Sequence, residues 1–126
     1  MDLVFGGSYQ GKTAFAMKTF GLGEEDIHTF EYGEIEWDFS SRACAHIERL
    51  IYSRLEKGMD VFDWFDSHLD DFREKTVICD DICCGVVPVE KLLRLYRDNV
   101  GKQMQIFSRE SDSVWRVYAG IGEKLK

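Results

Sequence analysis

"FGGSYQGKTAF", residues 5–15, sets three glycines, a lysine and a threonine directly behind an apolar run. Within it Gly6, Gly7, Ser8, Tyr9, Gln10, Gly11, Lys12 and Thr13 fit the pattern G-x-x-x-x-G-K-[ST]. The pattern stands between a strand-like Met1–Phe5 and a helical repeat carrying Ala14, Phe15, Met17 and Phe20. Strand, glycine turn, helix is the order a phosphate-binding loop requires. The glycines let successive backbone N–H groups converge on a phosphate, and the helix N-terminus adds the positive end of its dipole. Read this way, residues 6–13 hold the phosphates of ATP or GTP. Lys12 reaches the β and γ oxygens as a point charge, and the Thr13 hydroxyl ligates Mg²⁺. A glycine turn with a chance lysine is the bland alternative, and position, order and flanking elements all weigh against it.

Outward from the loop, Gly21 and Gly23 stop the first helix, and Ile27–Phe30 reads as a second strand. "EYGEIEWDF", residues 31–39, is acidic and aromatic without a clear period. Ser40 or Ser41 is expected to cap a helix whose apolar positions are Ala43, Ile47, Leu50, Ile51 and Leu55, ending at Gly58. Another helix follows with Val61, Phe62, Phe65, Leu69 and Phe72 on one side. Thr76–Cys79 is a short β-prone run. Pro88 opens a long helix to about Arg109, with Leu92, Leu93, Tyr96, Val100, Met104 and Phe107 inward. Ser113–Tyr118 alternates, "AGIG" at 119–122 turns, and Glu123–Lys126 closes as a last strand. Strands separated by helices imply an α/β fold, a P-loop NTPase-like (RecA-like) three-layer sandwich with a small, mostly parallel sheet, as one domain over 1–126.

Composition bounds the partners. A chain of 126 residues with 44% apolar and 31% charged residues suits one soluble core. A net charge of −7 argues against nucleic acid and against an anionic membrane surface. No charged leader precedes a long apolar stretch, so a cytoplasmic protein is expected, with Cys44, Cys79, Cys83 and Cys84 as reduced thiols.

A phosphate loop needs a carboxylate from another strand, and Asp80-Asp81 behind "TVIC" supplies two. Asp80 is placed with Thr13 on the metal and Asp81 as the acceptor of a substrate hydroxyl proton, the division between them being open. The alternative is a solvated acidic turn. The C-x3-C-C spacing of Cys79, Cys83 and Cys84 lacks the paired C-x2-C of a zinc site, so these thiols read as structural.

The C-terminal third, residues 85–126, carries Gly85, Val87, Pro88, Arg97, Asp98, Gly101, Gln105, Val114, Gly120, Ile121 and Lys126. With these residues it resembles the adenosylcobinamide kinase / adenosylcobinamide-phosphate guanylyltransferase family of cobalamin synthesis. The front agrees through Gly6, Gly7, Gly11, Lys12 and Thr13, with Gln10 in place of the usual serine, and Asp81 stands where that family has a glutamate. The resemblance implies nucleotide-dependent phosphorylation of a corrinoid alcohol such as cobinamide, and a homo-oligomer, a trimer in the family. "EYGEIEWDF" offers exposed aromatic surface for such association.

The middle of the chain departs from the pattern. The family's His-x-x-x-x-Arg-Pro segment, whose histidine carries GMP, is missing, which puts guanylyl transfer in doubt. The chain also looks too short for both a further parallel strand ending in an acidic residue and the inserted helical stretch that follows it. Arg42 and His46 fall about where the family's histidine segment falls, so His46 is either a remnant nucleophile or partly buried filler on an amphipathic helix. A second class of function stays open, a nucleotide-binding regulatory or assembly subunit without catalysis.

Overall fold

The computed structural model describes residues 1–82 and 89–126. Its strands are β1 (Asp2–Gly6), β2 (Ile27–Thr29), β3 (Ala43–Ala45), β4 (Thr76–Asp80), β5 (Ser113–Tyr118) and β6 (Ile121–Lys124). Its helices are α1 (Lys12–Phe20), α2 (Ile47–Glu56), α3 (Phe62–Ser67), α4 (Leu69–Phe72) and α5 (Lys91–Glu110). The strands form one sheet in the order β2-β3-β4-β1-β5-β6, parallel except for the antiparallel pair β5–β6. This is the expected α/β sandwich. Among the described residues no helix is long and apolar enough to cross a membrane.

Alternation along the central strands supplies both faces of the sheet. Val4, Ala45, Ile78 and Val117 pack with Ala16 of α1 on one side. Leu3, Cys44, Val77, Cys79 and Val114 meet Leu50, Ile51, Phe65, Phe72, Val100 and Phe107 of the other helices on the opposite side. Burial on both faces explains why β4 reads as a continuous apolar run.

Three local expectations are corrected by tertiary contacts. The helix expected from Ser40 or Ser41 does not begin there, because Ala43, Cys44 and Ala45 form β3 between β2 and β4. All three are fully buried, and small side chains suit a strand sandwiched between helical layers. The chain therefore does contain a further parallel strand, and α2 starts only at Ile47. The helix expected over 61–72 is broken into α3 and α4 at His68, whose Nδ1 lies 2.7 Å from the Trp64 carbonyl. The last strand is β6, starting at Ile121, because Ala119 and Gly120, both with positive φ, close a two-residue hairpin with β5. Pro88 and the start expected there for the long helix lie outside the described residues; α5 begins at Lys91.

The acidic aromatic stretch turns inward. Trp37 is 7% exposed and packs edge-on or tilted among Phe30, Phe39 and Phe72, so these rings belong to the core, and Tyr32 is the exposed one at 61%. Arg54, itself buried, anchors the stretch by donating from Nη1 to the Ile35 carbonyl at 2.6 Å, while its Nε donates to the Asp60 carbonyl at 2.6 Å. Lys126 donates to the carbonyls of Ser108 and Arg109 and so satisfies the C-terminal end of α5.

Phe72 sits among several rings, with ring centroids 4.9 Å from Phe39, 5.7 Å from Phe65 and 5.5 Å from Phe107. Phe72→Ala is expected to lower stability by about 3–5 kcal/mol, read from the midpoint of urea unfolding.

Candidate functional site

The carboxyl ends of β1, β3, β4 and β5 meet at one edge of the sheet. Gly6 of β1 pairs with Asp80 of β4, and Ala45 of β3 pairs with Ile78 of β4. These two registers set the loop after β1, the residue after β3 and the last residue of β4 side by side. Between them lies a cleft of about 340 Å³ whose wall includes Ser8, Lys12, Thr13, His46, Arg49 and Asp80.

The loop over residues 7–11 is shaped by close backbone approach. A Cβ on Gly6 would stand 2.3 Å from the Val117 carbonyl oxygen, so only glycine lets β1 and β5 pack here. Gly11, the N-cap of α1, holds the left-handed conformation with φ 84°. Gln10 ties the loop to the hairpin: its carbonyl accepts from Gly120 N at 2.8 Å, and its Oε1 accepts from Ala119 N at 2.7 Å. Tyr9, with positive φ, projects wholly into solvent. The first-turn amides of α1 have no acceptor within the helix, and they belong to the same stretch of chain as the cleft residues Lys12, Thr13 and Ala14.

Lys12 is 7% exposed, and its Nζ donates to the Gly7 carbonyl at 2.8 Å and pairs with Asp80 Oδ1 at 2.6 Å. The other Asp80 oxygen, Oδ2, accepts from Ser8 Oγ at 3.2 Å and lies 3.7 Å from His46 Nδ1. Lys12, Thr13, Asp80 and His46 are thus brought together from three separate stretches of the chain. Asp81 is not: its backbone N–H bonds the Gly6 carbonyl at 2.8 Å, and it lines a separate groove with Phe5, Gly101 and Met104.

His46 is neither filler within a helix nor part of a His-Arg-Pro segment. It follows β3 directly and N-caps α2 with φ 59°, a left-handed conformation in which histidine is several-fold enriched among non-glycine residues. β3 ends at Ala45, with His46 next and Glu48 two residues further on. Glu48 and Arg49 escaped the sequence reading. Glu48 is buried, accepts from Asp80 N at 3.1 Å and lies 2.8 Å from His46 Nδ1. Arg49 donates to the Phe30 carbonyl at 3.1 Å and stacks over Tyr32. The missing signal was β3 itself: once residues 43–45 are a strand, its exit must face the phosphate loop.

Cys44 and Cys79 are buried free thiols. Burial pushes both thiols up, and the Glu48 and Asp80 carboxylates push Cys79 further. Cys83 and Cys84 lie outside the described residues.

No family model matches the chain. Over 50 residues, 40% of this chain, it is 36% identical to the bifunctional adenosylcobalamin biosynthesis protein CobU of Salmonella typhimurium. A second likeness, 34% identical over 50 residues, is to the protein of the same name from Escherichia coli. Each match takes in 28% of the relative's length. The likeness supports kinship with that family at most, over part of the chain.

Two outcomes follow from this geometry. Gly6→Ala must separate β1 from β5 and is expected to cost about 1–3 kcal/mol in chemical denaturation. Cys44 and Cys79 are expected to resist alkylation in the folded protein and to react only on unfolding, followed peptide by peptide by mass spectrometry.

Proposed function

We propose that the chain is a phosphotransferase of the adenosylcobinamide kinase type, acting in cobalamin biosynthesis on a corrinoid alcohol with ATP or GTP as donor. One observation carries the reading: the glycine loop, Lys12, Thr13 and Asp80 converge on one cleft at the carboxyl edge of a parallel sheet. That edge is where α/β proteins bind nucleotides. The partial likeness to CobU and the C-terminal pattern supply the substrate class.

The residues present fit a magnesium nucleotide. The α1 N-terminus and the buried Lys12 ammonium suit the phosphate oxygens, while the Thr13 hydroxyl and the Asp80 carboxylate are the hard oxygen donors that magnesium takes. Magnesium, when bound, supplies charge neutralisation at the β and γ phosphates. The chain's own part is positioning: loop amides hold the triphosphate, Lys12 exchanges its hold on Gly7 and Asp80 for phosphate oxygens, and Gln10 keeps the loop fixed against the hairpin. Guanylyl transfer is left out of the reading, because the His-x-x-x-x-Arg-Pro segment is absent.

A phosphorylation assay on cobinamide, run with each nucleotide, tests this. The wild-type chain is expected to transfer the γ-phosphate, and Lys12→Ala to lower kcat/KM by roughly 10²–10³-fold. Tight nucleotide binding by calorimetry without transfer to any corrinoid would instead favour a non-catalytic nucleotide-binding subunit.

A further inference from the structure

We propose that His46, Glu48 and Asp80 form a binding site for one divalent transition-metal ion, of the Mn²⁺, Co²⁺ or Zn²⁺ kind, filled without nucleotide. The site stands apart from the kinase reading, sharing Asp80 with it but needing no phosphate oxygen.

The three donors come from two strand ends and one helix turn that the sheet holds rigidly. His46 leaves β3, Glu48 sits in the first turn of α2, and Asp80 closes β4, the neighbouring strand. One donor atom of each lies within 4.8 Å of the others. His46 Nδ1 is 2.8 Å from Glu48 Oε1 and 3.7 Å from Asp80 Oδ2. Two ligands about 2.0–2.2 Å from one ion in tetrahedral or octahedral array lie roughly 3.0–3.5 Å apart, so these separations already approximate the edges of a coordination polyhedron.

Charge points the same way. The Glu48 side chain is 4% exposed and that of Asp80 15%. Lys12 answers Asp80 at Oδ1, but no lysine or arginine among the described residues pairs with Glu48. Arg49, the other cation of the cleft, pairs with Glu31 instead. Among the described residues this buried carboxylate meets an imidazole, one backbone N–H and the neutral Cys79 thiol, so it is short of positive charge, and a dication at this point supplies it. An imidazole nitrogen beside two carboxylate oxygens selects a borderline ion over magnesium, which prefers all-oxygen surroundings. Three protein ligands leave further positions open, and His46 and Asp80 both line the cleft that holds Lys12 and Thr13. On binding, the ion displaces the proton between Nδ1 and Oε1, which passes to Nε2 from a neutral ring or to solvent from an imidazolium.

The test uses the full chain, free of nucleotide, titrated with Co²⁺ and Mn²⁺ alone. One Co²⁺ per chain with visible d–d bands is expected, and pulsed electron paramagnetic resonance of the Mn²⁺ form should show coupling to one imidazole nitrogen. His46→Ala should remove that coupling, and Glu48→Gln should weaken Co²⁺ affinity by roughly 10–100-fold. Lys12→Ala should keep the metal while losing nucleotide, which separates this site from the kinase reading. Absence of nitrogen coupling in the wild-type protein overturns the proposal, as does Co²⁺ binding unchanged in His46→Ala. Should Glu48→Gln fail to fold, the wild-type nitrogen signal decides by itself.

Discussion

The structure depends on the parallel pairing of β1 with β4, in the register that sets Gly6 against Asp80. Shifting that register by one residue would turn Leu3, Val4, Val77 and Ile78 to the wrong faces and empty both cores at once. The same register delivers Asp80 to the mouth of the loop that follows β1. There it meets Lys12, whose ammonium is buried and held between Asp80 and the Gly7 carbonyl. Hydrophobic burial on the two sheet faces thus fixes a polar arrangement at the sheet edge.

Several buried or half-buried polar groups are partnered in a way that locks a segment. Arg54 ties the acidic aromatic stretch to the α2–α3 region through carbonyls of Ile35 and Asp60. Lys75 does the same for residues before β3, donating to the carbonyls of Phe39 and Ser41 at 2.8 and 2.7 Å. A cation removed from water is costly unless its donors are satisfied, so these contacts define one path for residues 31–42 across the core. Glu48 plays the corresponding part at the sheet edge, bridging α2 to the last residue of β4.

Local reading reached far for the elements built from short-range signals. The strand, glycine loop and helix over residues 2–20 are legible because glycine placement and the change from period two to period 3.6 are properties of consecutive residues. The amphipathic α5 is legible for the same reason, with Val100 and Phe107 buried as its spacing requires. Lys12, Thr13, Asp80 and His46 could be named in advance, and they share a cleft. β3 could not be read, since Ala-Cys-Ala is too short to show alternation and fits the helical spacing of Ile47 and Leu50 equally well. With β3 went Glu48, Arg49 and the true setting of His46.

An α/β chain with a phosphate-type loop between its first strand and helix could be read from the residues alone, because those features are written in neighbouring positions. It took long-range strand pairing and packing to settle which carboxylate of the Asp80-Asp81 pair faces that loop, to turn the aromatic rings of residues 37 and 39 into the core, and to bring His46, Glu48 and Asp80 together. The reason is physical: adjacent residues on a strand end diverge, and which one faces the cleft is set by pairing with strands dozens of residues away.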